Sequence, residues 1–107
     1  MTADLLAFLD AAVCPWLAAD EVCRRLTAAG STPLDLAAAR WRIEPGQRVH
    51  VRRGAAVIAL ASAAAPARVL GIGAHLDSPH LRLKPRPAFA SDGVRQLAVE
   101  PYGGLIQ

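Results

Sequence analysis

A chain of 107 residues has room for one small domain and too little for two. Twelve Lys and Arg against nine Asp and Glu leave a formal charge of +3, with the basic groups interspersed among the acids, so no electrostatic case for nucleic-acid binding arises. The one membrane-like stretch, Ala55 to Ala67, is broken by Pro66 and falls short of the roughly 20 apolar residues a spanning helix needs.

Leu5, Phe8, Leu9, Ala12 and Val13 recur at helical spacing, which predicts a first helix capped by Thr2 and stopped by Pro15. Asp4 and Asp10 interrupt that helix, and no basic region precedes it, which argues against a secretory signal. A second helix is expected with Ala19, Val22, Cys23 and Leu26 on one face and Gly30 just past its end. Cys14 and Cys23 make no disulfide framework and fit free thiols in a reducing cytoplasm. Both helices are amphipathic and are expected to pack on a sheet.

Short strands then take over. "QRVHVRR" alternates, so Val49 and Val51 should face one way and Arg48, His50 and Arg52 the other, with His50 solvated. Arg53-Gly54 should turn into "AAVIALA" as a hairpin. "AAAPA" reads as a loop, and "RVLGIGA", residues 68–74, as a continuous apolar strand buried on both faces. Further strands are expected at Leu81 to Lys84 and Gln96 to Glu100, with "RPAFASDG" as a loop between them. Two helices followed by about five strands is an α/β pattern whose sheet lacks cover on one face, as the beginning of a larger domain would be.

Chemistry concentrates at the end of the apolar run. On a strand, His75 and Asp77 would project together while Leu76 points away. A neutral imidazole is a good zinc ligand, and a carboxylate beside it can orient the ring. Spacing alone leaves open a simple histidine–carboxylate pair at a strand end, and His80 could close a local cluster only if the chain folded back after Pro79. Arg82, Lys84 and Arg86 alternate as the wet face of an edge strand would, with Pro85 and Pro87 blocking further pairing. Tyr102-Gly103-Gly104 is either a plain turn or a place of close backbone approach.

Four segments, taken in order, carry a resemblance: "FLDAAVCPWL" at 8–17, "WRIEPGQRVHVRRG" at 41–54, "GAHLDSPHLRLKP" at 73–85 and "VEPYGG" at 99–104. Together they closely resemble the early region of the aspartyl aminopeptidase family of zinc metallopeptidases. The resemblance implies the N-terminal part of a dizinc aminopeptidase catalytic domain, with residues 1–80 starting that domain and 81–107 leading into the family's inserted second domain. It also implies a cytoplasmic exopeptidase that removes N-terminal Asp or Glu from peptides, holds two zinc ions and assembles as a dodecamer. His75 would be a zinc ligand, and Asp77 would orient it and assist catalysis. The bridging carboxylate, the general-base Glu and the other ligands of the family have no counterpart in these residues, so the chain alone is expected to be inactive. Leu17 and Leu76 depart from the family's usual His and Thr. The alternative is a non-catalytic binding or assembly module derived from that enzyme, joined to partners through exposed strands.

Overall fold

The computed structural model describes residues 1–63 and 70–104, which form two compact units, 1–77 and 78–107. The first unit holds α1 (Thr2–Ala11), α2 (Pro15–Ala28), β1 (Thr32–Pro33), β2 (Arg48–Arg53) and β3 (Ala56–Ala61). The second holds β4 (His80–Ser91) and β5 (Val94–Tyr102).

Thr2 does not cap α1. The helix begins one residue earlier than its spacing suggests, so Met1 is the N-cap, Thr2 is the first helical residue, and no side chain caps the helix. Pro15 is the first residue of α2, where its missing N–H costs nothing. The end of α2 is a Schellman motif. The Gly30 N–H bonds the Thr27 carbonyl and the Ser31 N–H bonds the Leu26 carbonyl, each at 2.9 Å, with Gly30 at φ +83°.

Only α2 lies on the sheet; α1 packs against α2. Arg25 joins the helices: its Nη1 donates to Asp4 Oδ1 at 2.8 Å, and its guanidinium sits 5.2 Å from the Phe8 ring centre. The same Arg25, with Arg24, binds the Glu21 carboxylate through three N–H donors at 2.6–2.7 Å. These hydrogen bonds pull the Glu21 carboxyl down from 4.5 to about 2. A depressed carboxylate contributes stability that is present above its unfolded value and lost as protons bind the folded form. The thermal midpoint of the protein should therefore fall as pH drops from 4.5 towards 2, and Glu21→Gln should flatten that fall, as thermal melts across a pH series would show.

The sheet order is β1-β2-β3, parallel then antiparallel, with Val49 opposite Leu60 and Val51 opposite Ile58. Gly54, at φ +60°, opens the two-residue loop of the β2–β3 hairpin. Val49, Val51, Ile58 and Leu60 form one face, partly covered by Leu34, Trp41 and Ile43. The face carrying Arg48, His50 and Arg52 is the one beneath α2, so the expected solvation of His50 is overturned. His50 is 4% exposed, and its Nδ1 lies 2.9 Å from the hydroxyl of Ser31, itself buried. Arg52 reaches up from the same face to the Trp16 carbonyl at 3.2 Å and to the Asp20 carboxylate. Charged tips at alternate positions suggested a wet face; their stems instead line the floor of a helix. Ala18, Ala19, Val49 and Val51 are the buried apolar residues among those described. Cys14 and Cys23 are free, and partial burial pushes the Cys23 thiol up.

The strand expected at 68–74 is not formed over its described part. Residues 70–74 carry no ladder, and Leu70 and Ile72 are fully exposed; Arg68 and Val69, with most of the preceding loop, lie outside the described residues. A strand exists only through its neighbours, and none of the described strands pairs with this segment.

In the second unit the expected loop "RPAFASDG" is mostly strand. Asp92 and Gly93, at φ +51° and +78°, make the two-residue turn between β4 and β5. Both central residues have positive φ, as a type I′ turn requires. Pro85 and Pro87 interrupt the pairing, which shifts register between Leu83 and Ala88, with Arg86 at φ +53° inside the bulge. The Arg82 guanidinium lies 4.5 Å from the Tyr102 ring centre, and the His80 and Tyr102 rings are 5.1 Å apart. Gly103, at φ +91°, passes so close to Pro79 that a Cβ would meet its Cα at 3.1 Å, so the close approach there is to the chain's own backbone. Among the described residues no helix is long and apolar enough to cross a membrane.

Candidate metal centre

His75 and Asp77 stand at the end of the first unit, on the segment that follows the glycine-rich run "GIGA". The alternation anticipated for a strand survives without the strand: His75 and Asp77 are exposed while Leu76 is half-buried. The three residues border an open cleft of about 510 Å³, whose other walls are apolar side chains of α2 and β3, among them Val22, Leu26 and Val57.

The imidazole is held by its own loop. His75 Nδ1 lies 2.6 Å from the Asp77 carbonyl oxygen and 3.3 Å from Asp77 Oδ1. Both oxygens only accept, so Nδ1 carries the hydrogen and donates it. The neutral ring then presents the lone pair of Nε2 outward, the tautomer a metal-binding histidine needs. Ring, carbonyl and carboxylate thus come together within three consecutive residues.

His80 repeats the pattern locally, its Nδ1 donating to the Ser78 carbonyl at 2.7 Å. Among the described residues no three His, Cys, Asp or Glu side chains assemble to hold a metal ion. The donor set at His75 and Asp77 is of the kind zinc takes, but one ring nitrogen and one carboxylate are fewer than the three protein ligands of a catalytic zinc. The buried His50–Ser31 pair is the other histidine environment of the chain, and the alternation of β2 gave no sign of it. Its signal was the Gly30-Ser31 end of α2, which brings a hydroxyl over the sheet.

Comparison with known proteins places these residues in context. Residues 8–107 match the family model described as aminopeptidase I zinc metalloprotease (M18). A probable M18 family aminopeptidase 2 of Streptomyces coelicolor is 42% identical over 110 residues, covering 98% of this chain and 24% of its own length. The protein of the same name from Ectopseudomonas mendocina is 42% identical over 106 residues, covering 95% and 24%. A chain in the cryo-EM structure of the Ape4 and Nbr1 complex superposes with a TM-score of 0.78 at 32% identity, over 95% of this chain and 20% of that one. The chain spans about a quarter of the length of the curated relatives it matches. Two helices followed by strands in incomplete sheets agree with an N-terminal part of such a catalytic domain. With the family model matched from Phe8 to the last residue, the chain belongs to the M18 family of zinc metallopeptidases.

Proposed function

We propose that this chain is the first part of a cytoplasmic zinc-dependent aminopeptidase that removes N-terminal Asp or Glu from peptides, and that His75 is one of its zinc ligands. The observation that carries the reading is the His75 ring, fixed through Nδ1–H so that Nε2 faces outward, in a chain matched along nearly its whole length by a zinc metalloprotease family. Asp77 acts through His75: its carbonyl takes the ring hydrogen and its carboxylate, 3.3 Å away, favours that orientation. Residues 81–107 lead into a second, inserted domain. When bound, a pair of zinc ions supplies Lewis acidity and a water that ionises near neutral pH. The remaining ligands and the general base come from sequence other than these residues, as does the surface that builds a dodecamer.

The 107-residue protein alone is accordingly expected not to cleave peptides with acidic N-termini. The test is a chimera in which residues 8–107 replace the matching stretch of the Streptomyces coelicolor relative. The chimera should release N-terminal Asp and Glu in preference to neutral residues, and a chelator should abolish the release. A chimera that folds and assembles yet has no chelator-sensitive activity, or prefers neutral N-termini, would contradict the proposal.

A further inference from the structure

We infer that Leu76 is a positioning residue for the zinc half-site: its side chain anchors the His75–Asp77 loop in the apolar angle between α2 and β3, and so fixes the direction in which His75 offers Nε2. Zinc as the ligand rests on the aminopeptidase reading; the anchoring of the loop does not. Every side chain involved belongs to the first unit, and the anchor consists of surface that is already covered. It is therefore independent of what else the catalytic domain supplies.

The loop has two sides. The His75 Nδ1–H closes on the Asp77 carbonyl at 2.6 Å, which leaves Leu76 at the middle of the closed turn. Ring and carboxylate stand exposed, while Leu76 is half-buried. Among residues 70–77 it is the one side chain that is not exposed, although Leu70 and Ile72 are as apolar. Place, rather than apolarity, accounts for its burial. It borders the same cleft as Val22 and Leu26 of α2 and Val57 of β3, each half-buried in turn. Val57 is opposite Arg52 in the β2–β3 ladder, so it lies on the sheet face beneath α2. On that face α2 is tied down by Arg52, through the Trp16 carbonyl and the Asp20 carboxylate, and by the Ser31–His50 pair.

A ring held only by its own loop keeps its tautomer but not its direction, because the bond from Nδ1 turns with the loop. Leu76 supplies the link from the loop to the tied part of the unit. The reverse orientation is closed to it, since turning the loop over would press the Asp77 carboxylate against Val22, Leu26 and Val57. Ordering a mobile ligand loop costs conformational entropy when metal binds, and an anchor removes that cost beforehand. Half-burying a leucine side chain corresponds to about a tenfold factor in such an equilibrium.

The test has two arms. In the 107-residue protein, 15N relaxation should give the His75 and Asp77 amides order parameters of about 0.85. Leu76→Ala should bring both below about 0.6 and leave Ser31 and His50 rigid. In the chimera that carries residues 8–107, Leu76→Ala should raise the zinc dissociation constant about tenfold, and Leu76→Met, which keeps the apolar reach, should restore it. Leu26→Ala should weaken zinc binding in the same direction, and the double variant should lose less than the sum of the two. A mobile His75 in the parent overturns the inference, as does a rigid one in Leu76→Ala. Loss of order at His50 in Leu76→Ala also overturns it, because Leu76 would then support the whole unit rather than the ring. So does an unchanged zinc affinity in Leu76→Ala where His75→Ala lowers zinc binding. If His75→Ala leaves zinc binding intact, the aminopeptidase reading of His75 fails and the first arm alone decides the anchor.

Discussion

His75→Ala, introduced into the chimeric aminopeptidase, is expected to bring cleavage of acidic N-terminal substrates below detection and to lower the zinc bound per chain. The expectation follows from one atom. Nδ1 is committed to the Asp77 carbonyl at 2.6 Å, so only Nε2 can bind a metal, and among the described residues no three His, Cys, Asp or Glu side chains gather to hold a metal ion without it. Asp77→Asn should behave differently. It keeps the main-chain carbonyl that accepts the ring hydrogen and removes only the negative charge 3.3 Å from Nδ1. Loss of such an outer partner typically costs about 10–100-fold in metal affinity or activity, so a weakened but measurable enzyme is expected. Excess zinc should restore part of the Asp77→Asn activity and none of the His75→Ala activity. His80→Ala tests whether any exposed imidazole in this stretch would serve: its ring has the same carbonyl-bonded Nδ1, yet the proposal gives it no metal. Full zinc content and activity in His75→Ala, or their loss in His80→Ala alone, would move the ligand to the wrong histidine and end the assignment.

What could be read from the residues divides along the reach of the forces involved. The boundaries of α2 follow from Pro15 and Gly30, and the β2–β3 hairpin from alternation around Gly54, because turn geometry and capping act within a few residues. The Asp92-Gly93 turn is equally local, an Asp-Gly pair whose positive φ values suit a type I′ hairpin, although the sequence around it, "RPAFASDG", reads as a loop. The burial of His50 was not local. Alternation along β2 separates two faces correctly, yet which face α2 covers depends on where the Schellman turn at Gly30 sends Ser31. Over its described residues, 70–74, the expected strand at 68–74 is not formed for the same reason: apolarity states a preference for burial, while a ladder needs a neighbour at about 4.8 Å. At His75 and Asp77 the residue types and their order pointed to zinc only with the help of the wider resemblance. The donated Nδ1 hydrogen, which gives the ring its direction, became visible only in the folded loop.

Enlarging Ala19 to Leu is expected to destabilise the first unit by about 1–3 kcal/mol, a drop of roughly 5–20 °C in thermal midpoint for a domain of this size. Ala19 has no exposed surface and Ala18 is 2% exposed, so this stretch of α2 is closely packed through small methyl groups. Close approach there is what lets Arg52 span from β2 to the Trp16 carbonyl and the Asp20 carboxylate, and Ser31 reach His50 at 2.9 Å. A leucine has no pocket to enter and must lift the helix, stretching both links together. Leaving the buried His50 nitrogen without its hydroxyl partner would add its own cost of about 1–3 kcal/mol. Leu6→Ala in α1 is the matched control. It deletes a larger side chain from a position 55% exposed, in a helix with no buried residue, and should stay within about 0.5 kcal/mol of the parent. Equal effects of the two substitutions on the midpoint would mean that the α2–sheet contact is not where the stability of this unit resides. A large loss confined to Ala19→Leu would identify that contact as its foundation, and with it the α2 wall of the cleft in which His75 and Asp77 are presented.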